Sequence, residues 1–319
     1  MSAAGTVVDV LVSGLAKASL YAMMALGLTL IFGLLGVLNF AHGSLTMLGA
    51  YAAGLLMVTF AGSGFGALVW FLVAGLTAGV LVGGLGAAME VALIRKLYDR
   101  PPIYQILLTF GITLVIDELA RIVVLFYGMQ PQTDWQAALG TKPSFIADTF
   151  AVLGGTVSHL ELFEILWGVL TVVAVWAFLN RTRYGLVVRA GSEDDEMAAA
   201  LGIDVRRVFT VVFALGAGLA GFAGALLMWD PAWAASVPLA SETLLPAFVV
   251  VIVGGLGSFR GTVVAAVIVG MVDALMTYLF DHAIITFSGL PELTVFLILV
   301  GVLVVRPQGI FGLAEVGGH

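Results

Sequence analysis

Cysteine is absent from this 319-residue chain, lysine occurs three times, and only 10% of positions carry a charge. Each scarcity excludes something. Without cysteine there are no disulfides, no thiolate metal sites and no thiol nucleophile. The histidines His42, His159, His282 and His319 stand too far apart to pair as ligands at helical spacing, so no metal centre is expected. None of Lys17, Lys96 and Lys142 closes a GxxxxGK[ST] loop, so the chain has no Walker A site of its own and binds no cofactor by that route. HExxH and GxSxG are both missing, which argues against an intramembrane enzyme, and no basic patch offers itself to nucleic acid. What is abundant is apolar: 61% hydrophobic residues, 40 glycines and a mean hydropathy of +1.13. That composition fits a polytopic helical membrane protein, all-α, embedded in the lipid bilayer as a single membrane domain over residues 1–319.

Between Lys17 and Glu90 lie 72 residues without Asp, Glu, Lys or Arg. As one helix they would run to roughly 108 Å, more than three bilayer cores, so the segment must fold back on itself. Apolar runs separated by charge or turn residues predict spans at 7–36, 45–60, 68–89, 103–127, 163–179, 208–228, 244–253, 263–280 and 293–305. That makes nine, with eight to ten compatible, and the seventh and ninth are short enough to tilt or to be re-entrant. The amino-terminal stretch lacks a basic n-region and reads as the first span, not as a cleaved signal peptide. If spans simply alternate, Arg95, Lys96, Arg100, the five arginines of 181–207, Arg260 and Arg306 all face the cytoplasm. The amino terminus is then outside, the carboxyl terminus inside, and segment 128–160 is extracytoplasmic, open to an external partner.

Charge is concentrated in one place. Segment 181–207, RTRYGLVVRAGSEDDEMAAALGIDVRR, holds ten of the 33 formal charges. Ser192 precedes Glu193, Asp194 and Asp195, a pattern that caps a helix start and sets carboxylates against its positive dipole end, and Gly202 supplies a stop. The helix between them would be roughly 13 Å long, too short to span, so it is expected on the cytoplasmic surface. Met197, Ala198 and Leu201 share one side of it, a small apolar ridge for something soluble.

Polar residues inside the apolar runs are the other candidates. Asn39, Phe40 and His42, in NFAHG, interrupt the charge-free run and read either as a conduit or gate, or as the cap of a broken helix. Asp117 and Glu118 share one nearby cation, Arg121, at i+4 and i+3, so one acid needs another partner, a proton or water. Asp273 has Thr277 one turn away but no basic neighbour in sequence, and should face the bundle interior. GLLGVLNFAHGSL at 33–45 and GGLGSFRGTV at 254–263 are weakly alike, two glycine-broken runs of the kind that exposes backbone in transporters. The string GAGLAG at 216–221 matches GxGxxG but lies inside an apolar run. Small residues four apart there (Ala217 and Gly221, Ala220 and Gly224, Gly221 and Ala225) suit close helix packing instead.

Four segments together resemble the permease subunits of high-affinity branched-chain amino-acid ABC transporters, the LivH-like member of the pair: SLYAMMALGLTLIFGLLGVLNFAHGSLTMLGAY at 19–51, RYGLVVRAGSEDDEMAAALGIDVRRV at 183–208, VIVGGLGSFRG at 251–261 and RPQGIFG at 306–312. The resemblance implies that Glu196 to Gly202, EMAAALG, belongs to the EAA-type coupling segment that docks on a cytoplasmic ATPase. It further implies a second homologous permease, two ATPase subunits that hold the ATP and magnesium, and an extracytoplasmic binding protein that delivers substrate. Hydrophobic amino acids are the expected cargo, with urea, amides or other small polar solutes served by the same architecture. A stand-alone ion-coupled secondary transporter or channel is the competing class, because glycine-broken helices and buried carboxylates would suit it too. Lys17 stands where the family pattern leads one to expect a small or apolar residue, and Arg260 interrupts a stretch usually small and apolar.

Overall fold

A computed structural model of the chain describes residues 2–60, 65–128, 135, 146, 148–193, 204–228, 233–287 and 289–312. Among them are ten α-helices: α1 (Ala3–Leu35), α2 (His42–Phe60), α3 (Phe65–Ala92), α4 (Pro102–Phe126), α5 (His159–Arg181), α6 (Arg183–Glu193), α7 (Val205–Leu227), α8 (Leu239–Gly254), α9 (Phe259–Asp281) and α10 (Leu290–Val305). A short 3₁₀ turn, Ile94–Leu97, follows α3. Each of the nine predicted spans falls on one of these helices. Six of the described helices are long and apolar enough to cross a membrane by themselves. α8 and α10, at 16 residues each, reach about 24 Å, short of the ~30 Å hydrocarbon core.

Packing divides the chain into two compact units, one of residues 1–29, 145–174 and 246–319, the other of residues 30–144 and 175–245. In the second unit α7 packs against α3 and α2. The small-residue reading of 216–225 holds: a Cβ at Gly221 would meet the Val82 Cβ at 2.6 Å, one at Gly49 would collide with the Gly221 backbone, and one at Gly224 would strike the Thr46 carbonyl. Backbones that approach this closely gain dispersion and forfeit nothing to lipid, which drives association where the hydrophobic effect does not. The GxGxxG string is thus helix interior, wedged between neighbours. Ala41, Leu45, Val82, Met89, Ala217 and Ala220 form the adjoining core.

The first unit contains the one element of other class among the described residues, an antiparallel hairpin of β1 (Thr149–Val152) and β2 (Gly155–Ser158). Leu153 and Gly154, at φ +52° and +87°, make its two-residue turn, the conformation that matches strand twist. The hairpin is tied to α1: the Asp9 carboxylate accepts the Thr156 N–H at 2.6 Å, and the Ser2 hydroxyl donates to the Leu153 carbonyl at 3.2 Å. Composition gave no sign of it, since two four-residue strands leave no period to detect.

This unit also holds the glycine break between α8 and α9. Gly255 (φ +103°) and Gly257 (φ +78°) take the chain through conformations closed to other residues, and the Ser258 hydroxyl caps α9 by accepting the Gly261 N–H at 3.1 Å. The end of α8 leaves carbonyls without helical partners. The RPQGIFG segment supplies donors, Ile310 N–H to the Val253 carbonyl at 2.8 Å and Phe311 N–H to the Gly254 carbonyl at 3.0 Å. Two motifs some fifty residues apart in sequence therefore form one structure.

Candidate functional site

α1 ends at Leu35 because Gly36 takes φ +62°, its N–H still bonded to the Phe32 carbonyl at 2.9 Å, and the chain stays non-helical until α2 opens at His42. Asn39 organises the restart. Its Oδ1 accepts the Ala41 N–H at 3.2 Å and its carbonyl accepts the His42 N–H at 3.1 Å, so the cap role expected as one reading of NFAHG is present. Asn39 and His42 are both buried, and the Asn39 Nδ2 has no hydrogen-bond partner among the described residues. A buried donor left so costs about 1–3 kcal/mol, more than a cap alone would justify.

The break is held from outside by α4. Thr109 is fully buried; its Oγ1 accepts the Phe40 N–H at 3.3 Å, and its one proton has three carbonyls within reach, Gln105 of its own helix at 3.0 Å and Leu38 and Ile106 each at 3.2 Å. Phe40 has no helix to bond within, so the hydroxyl gives its orphaned N–H an acceptor while lying beside the Leu38 carbonyl. Phe40 meets Phe110 edge to face at 6.4 Å. Two turns along the same face of α4, Asp117 Oδ1 accepts the Ser44 hydroxyl of α2 at 2.7 Å. Sequence reasoning missed Thr109 and Ser44, which contact the candidates Phe40 and Asp117; a threonine or serine in an apolar helix is too common to single out.

Asp117 and Glu118, adjacent in sequence, part company. Glu118 points about 100° away and, among the described residues, pairs with Arg121 at 3.8 Å, both side chains some 60% exposed. The expectation that one arginine serves one carboxylate is what the geometry shows.

Asp273 belongs to the other unit. It is buried as expected, and a cation reaches it after all: Lys17 Nζ lies 3.0 Å from Oδ1, and the Tyr21 hydroxyl donates to Oδ2 at 2.6 Å. Lys17 also donates to Thr277 Oγ1 at 2.8 Å. The lysine that departs from the family pattern is the partner of the acid that lacked one.

Of the coupling candidates, Glu196, Met197, Ala198, Leu201 and Gly202 lie outside the described residues. Ser192 and Glu193 differ from expectation: the backbone is already helical through both, the last described residues of α6, where a helix was expected to open. The opening cap is Thr182, whose Oγ1 accepts the Gly185 N–H at 3.0 Å ten residues earlier. On the far side of the segment, Asp204 caps α7 by accepting the Arg207 N–H. There a cluster unforeseen in sequence ties the first turns of α7 to the end of α3. Buried Glu90 receives Arg95 at 3.0 and 2.7 Å, Thr210 at 2.8 Å and Tyr98 at 2.9 Å. Burial, with the Glu90 carboxylate beside it, pushes the Tyr98 phenol far above its ordinary range, so it remains a donor at any working pH.

Broken helices, intramembrane carboxylates that each find a hydroxyl or a cation, and glycine-tight packing define a polytopic membrane protein of the transport class. The family model for the permease component of branched-chain amino acid transport systems matches residues 10–305, and the chain belongs to that family. It is similar to the high-affinity branched-chain amino acid transport system permease protein BraD of Pseudomonas aeruginosa, 26% identical over 96% of both chains. The LivH permease protein of the Escherichia coli K12 system is 27% identical over 95% of both, and the LivM permease protein of the same system 26% identical over 91% of this chain and 67% of its own length. No solved structure matches.

Proposed function

We propose that this chain is the membrane-spanning permease subunit of an ATP-driven importer that takes branched-chain or related hydrophobic amino acids from an extracytoplasmic binding protein into the cytoplasm. The observation that carries the reading is the family match over residues 10–305, with no phosphate-binding loop anywhere in the sequence. Energy then has to enter through a partner. A second homologous permease, two ATPase subunits holding ATP and magnesium, and the binding protein complete the complex. Nine spans, an outer amino terminus, an inner carboxyl terminus and an extracytoplasmic 128–160 segment are the arrangement that the basic residues favour.

In this reading the ATPases seat Ser192, Glu193, Glu196, Met197, Ala198, Leu201 and Gly202, and closing on ATP they move that segment. The displacement passes through the Asp204 cap into α7, which the Glu90 cluster fastens to α3. The break at 36–41 is the gate, with Asn39, Phe40 and His42 against Thr109 and Asp117. Its spare Asn39 amide donor suits a passing carboxylate or carbonyl. Glu118 and Asp273 act through neighbouring helices and not on the substrate. Alternating access is a shift between two packings of these helices.

The test is uptake of leucine into proteoliposomes holding the whole complex with ATP inside. Uptake should require ATP, and Leu201→Asp should abolish it while the membrane fold survives, because a charge on the apolar ridge forbids seating. Uptake driven by an ion gradient without ATP would overturn the proposal, and unchanged coupled transport in Leu201→Asp would overturn the docking assignment.

A further inference from the structure

α4 is finished on one side only. Gln105 and Thr109 are buried, and Asp117 reaches α2, all on one face. The opposite face carries Leu107, Gly111, Leu114, Glu118, Arg121 and Leu125, spaced alternately by four and three residues, the 3.5-residue repeat of a helix-packing seam. The three leucines are each more than half exposed, and a Cβ placed on Gly111 would meet nothing. Lipid would be an adequate neighbour for leucine. It is a poor one for a carboxylate within the fourth span that the sequence predicts, since a charge at the centre of a membrane helix costs about 2.5–3.5 kcal/mol by insertion scales, whereas Arg121, five residues from the end of α4, is long enough to snorkel. Glu118 sits eight residues, about 12 Å, before the end of α4, too deep for its short side chain to reach water beyond the helix. At 3.8 Å the pair is also loose, each partner free to turn to another.

We infer that this face of α4 is where a transmembrane helix of a second permease subunit packs, Gly111 admitting it closely and Glu118 and Arg121 meeting a complementary acid–base pair. The choice of occupant rests on the partner reading above and on two observations. An acid and a base one turn apart are self-complementary about a two-fold axis, the arrangement by which related subunits pair. And one transport system of Escherichia coli has two permease proteins, LivH and LivM, each matching this chain along most of its length. The placement gives the contact a consequence. The partner leans on one side of the helix whose other side holds the gate through Thr109 and Asp117, so a change in subunit packing is transmitted to the break across a single helix.

The absence of cysteine and the exposure of the seam make the test direct. A photo-crosslinking residue is placed at Leu107 or Leu114, and as a control at Leu81, an exposed position of α3, in the full complex in native membranes. The adducts are identified by mass. The seam positions should yield a second permease chain and Leu81 at least ten-fold less of it. Glu118→Lys should lower the second permease recovered with the tagged chain about ten-fold, and if that variant fails to accumulate, the crosslinks alone decide. Adducts from the seam to lipid or ATPase alone, in a preparation that does contain the second permease, overturn the inference and leave the partner reading standing. A purified active complex containing no second permease chain overturns the partner reading itself.

Discussion

Lys17 with Asp273 and Arg121 with Glu118 are both acid–base pairs inside apolar helices, and the chain treats them oppositely. Asp273 is 10% exposed, its two oxygens taken by Lys17 and Tyr21, with Thr277 closing the third side; the partners come from helices 256 positions apart. Glu118 and Arg121 come from one turn of one helix, 3.8 Å apart and mostly exposed. A charge in a bilayer must be neutralised somewhere. The first pair completes that task within the chain and so holds the fold of its unit together. The second leaves it incomplete, which makes it a statement about an absent neighbour.

The sealed pair is where the largest effect is expected. Lys17→Met leaves a buried carboxylate with hydroxyl donors but no cation, and removing one member of a buried pair costs on the order of 3 kcal/mol. Denaturant titration of the purified subunit should show that loss, and Lys17→Met with Asp273→Asn should recover most of it, since the uncompensated charge goes with its partner. A Lys17→Met chain as stable as the parent would mean that the pair is not sealed at all.

Next comes the clamp on the break. Thr109→Val keeps the shape and removes both the acceptor of the Phe40 N–H and a bond to its own helix at Gln105, which should cost about 1–3 kcal/mol and slow uptake several-fold with the subunits still assembled. Thr113→Val removes only a bond to its own helix, at the Thr109 carbonyl, and should move uptake by less than two-fold. Equal effects from the two would show that the break is not held from α4.

These residues also mark what was legible in the sequence. Helices were, because apolar length in a bilayer is a local property, and all nine predicted spans fall on one. The glycine breaks were, since Gly36, Gly255 and Gly257 need backbone angles other residues avoid. Cross-helix partners were not. Asp273 stood without a cation, and Lys17 stood where no cation was expected; that each lacked an explanation was a signal that they explain each other, and only proximity turns it into a pair. Ser192 misled because a serine before three acids is a cap only if the chain is not already helical there, and Thr182 had already started α6. Thr109 and the Glu90 cluster were invisible for another reason. Thr109 serves a backbone group, and Glu90 meets side chains five, eight and 120 residues on, none at the three- or four-residue spacing that marks a helical pair.

The smallest effect is the one that separates the two pairs most cleanly. In the purified single subunit, Glu118→Gln removes only a loose 3.8 Å contact between two side chains that no neighbouring helix covers. Denaturant titration should therefore scarcely distinguish it from the parent, in contrast with Lys17→Met. In the assembled complex the same substitution leaves a cation facing protein without its acid, so its cost should rise several-fold above the isolated value. The ratio of the two costs, assembled over isolated, is the informative quantity. For Lys17→Met it should be near one, because that pair is complete before any partner arrives. A ratio near one for Glu118→Gln as well would mean that its face of α4 meets the same surroundings in both states, and the contrast between a sealed and an open pair would collapse.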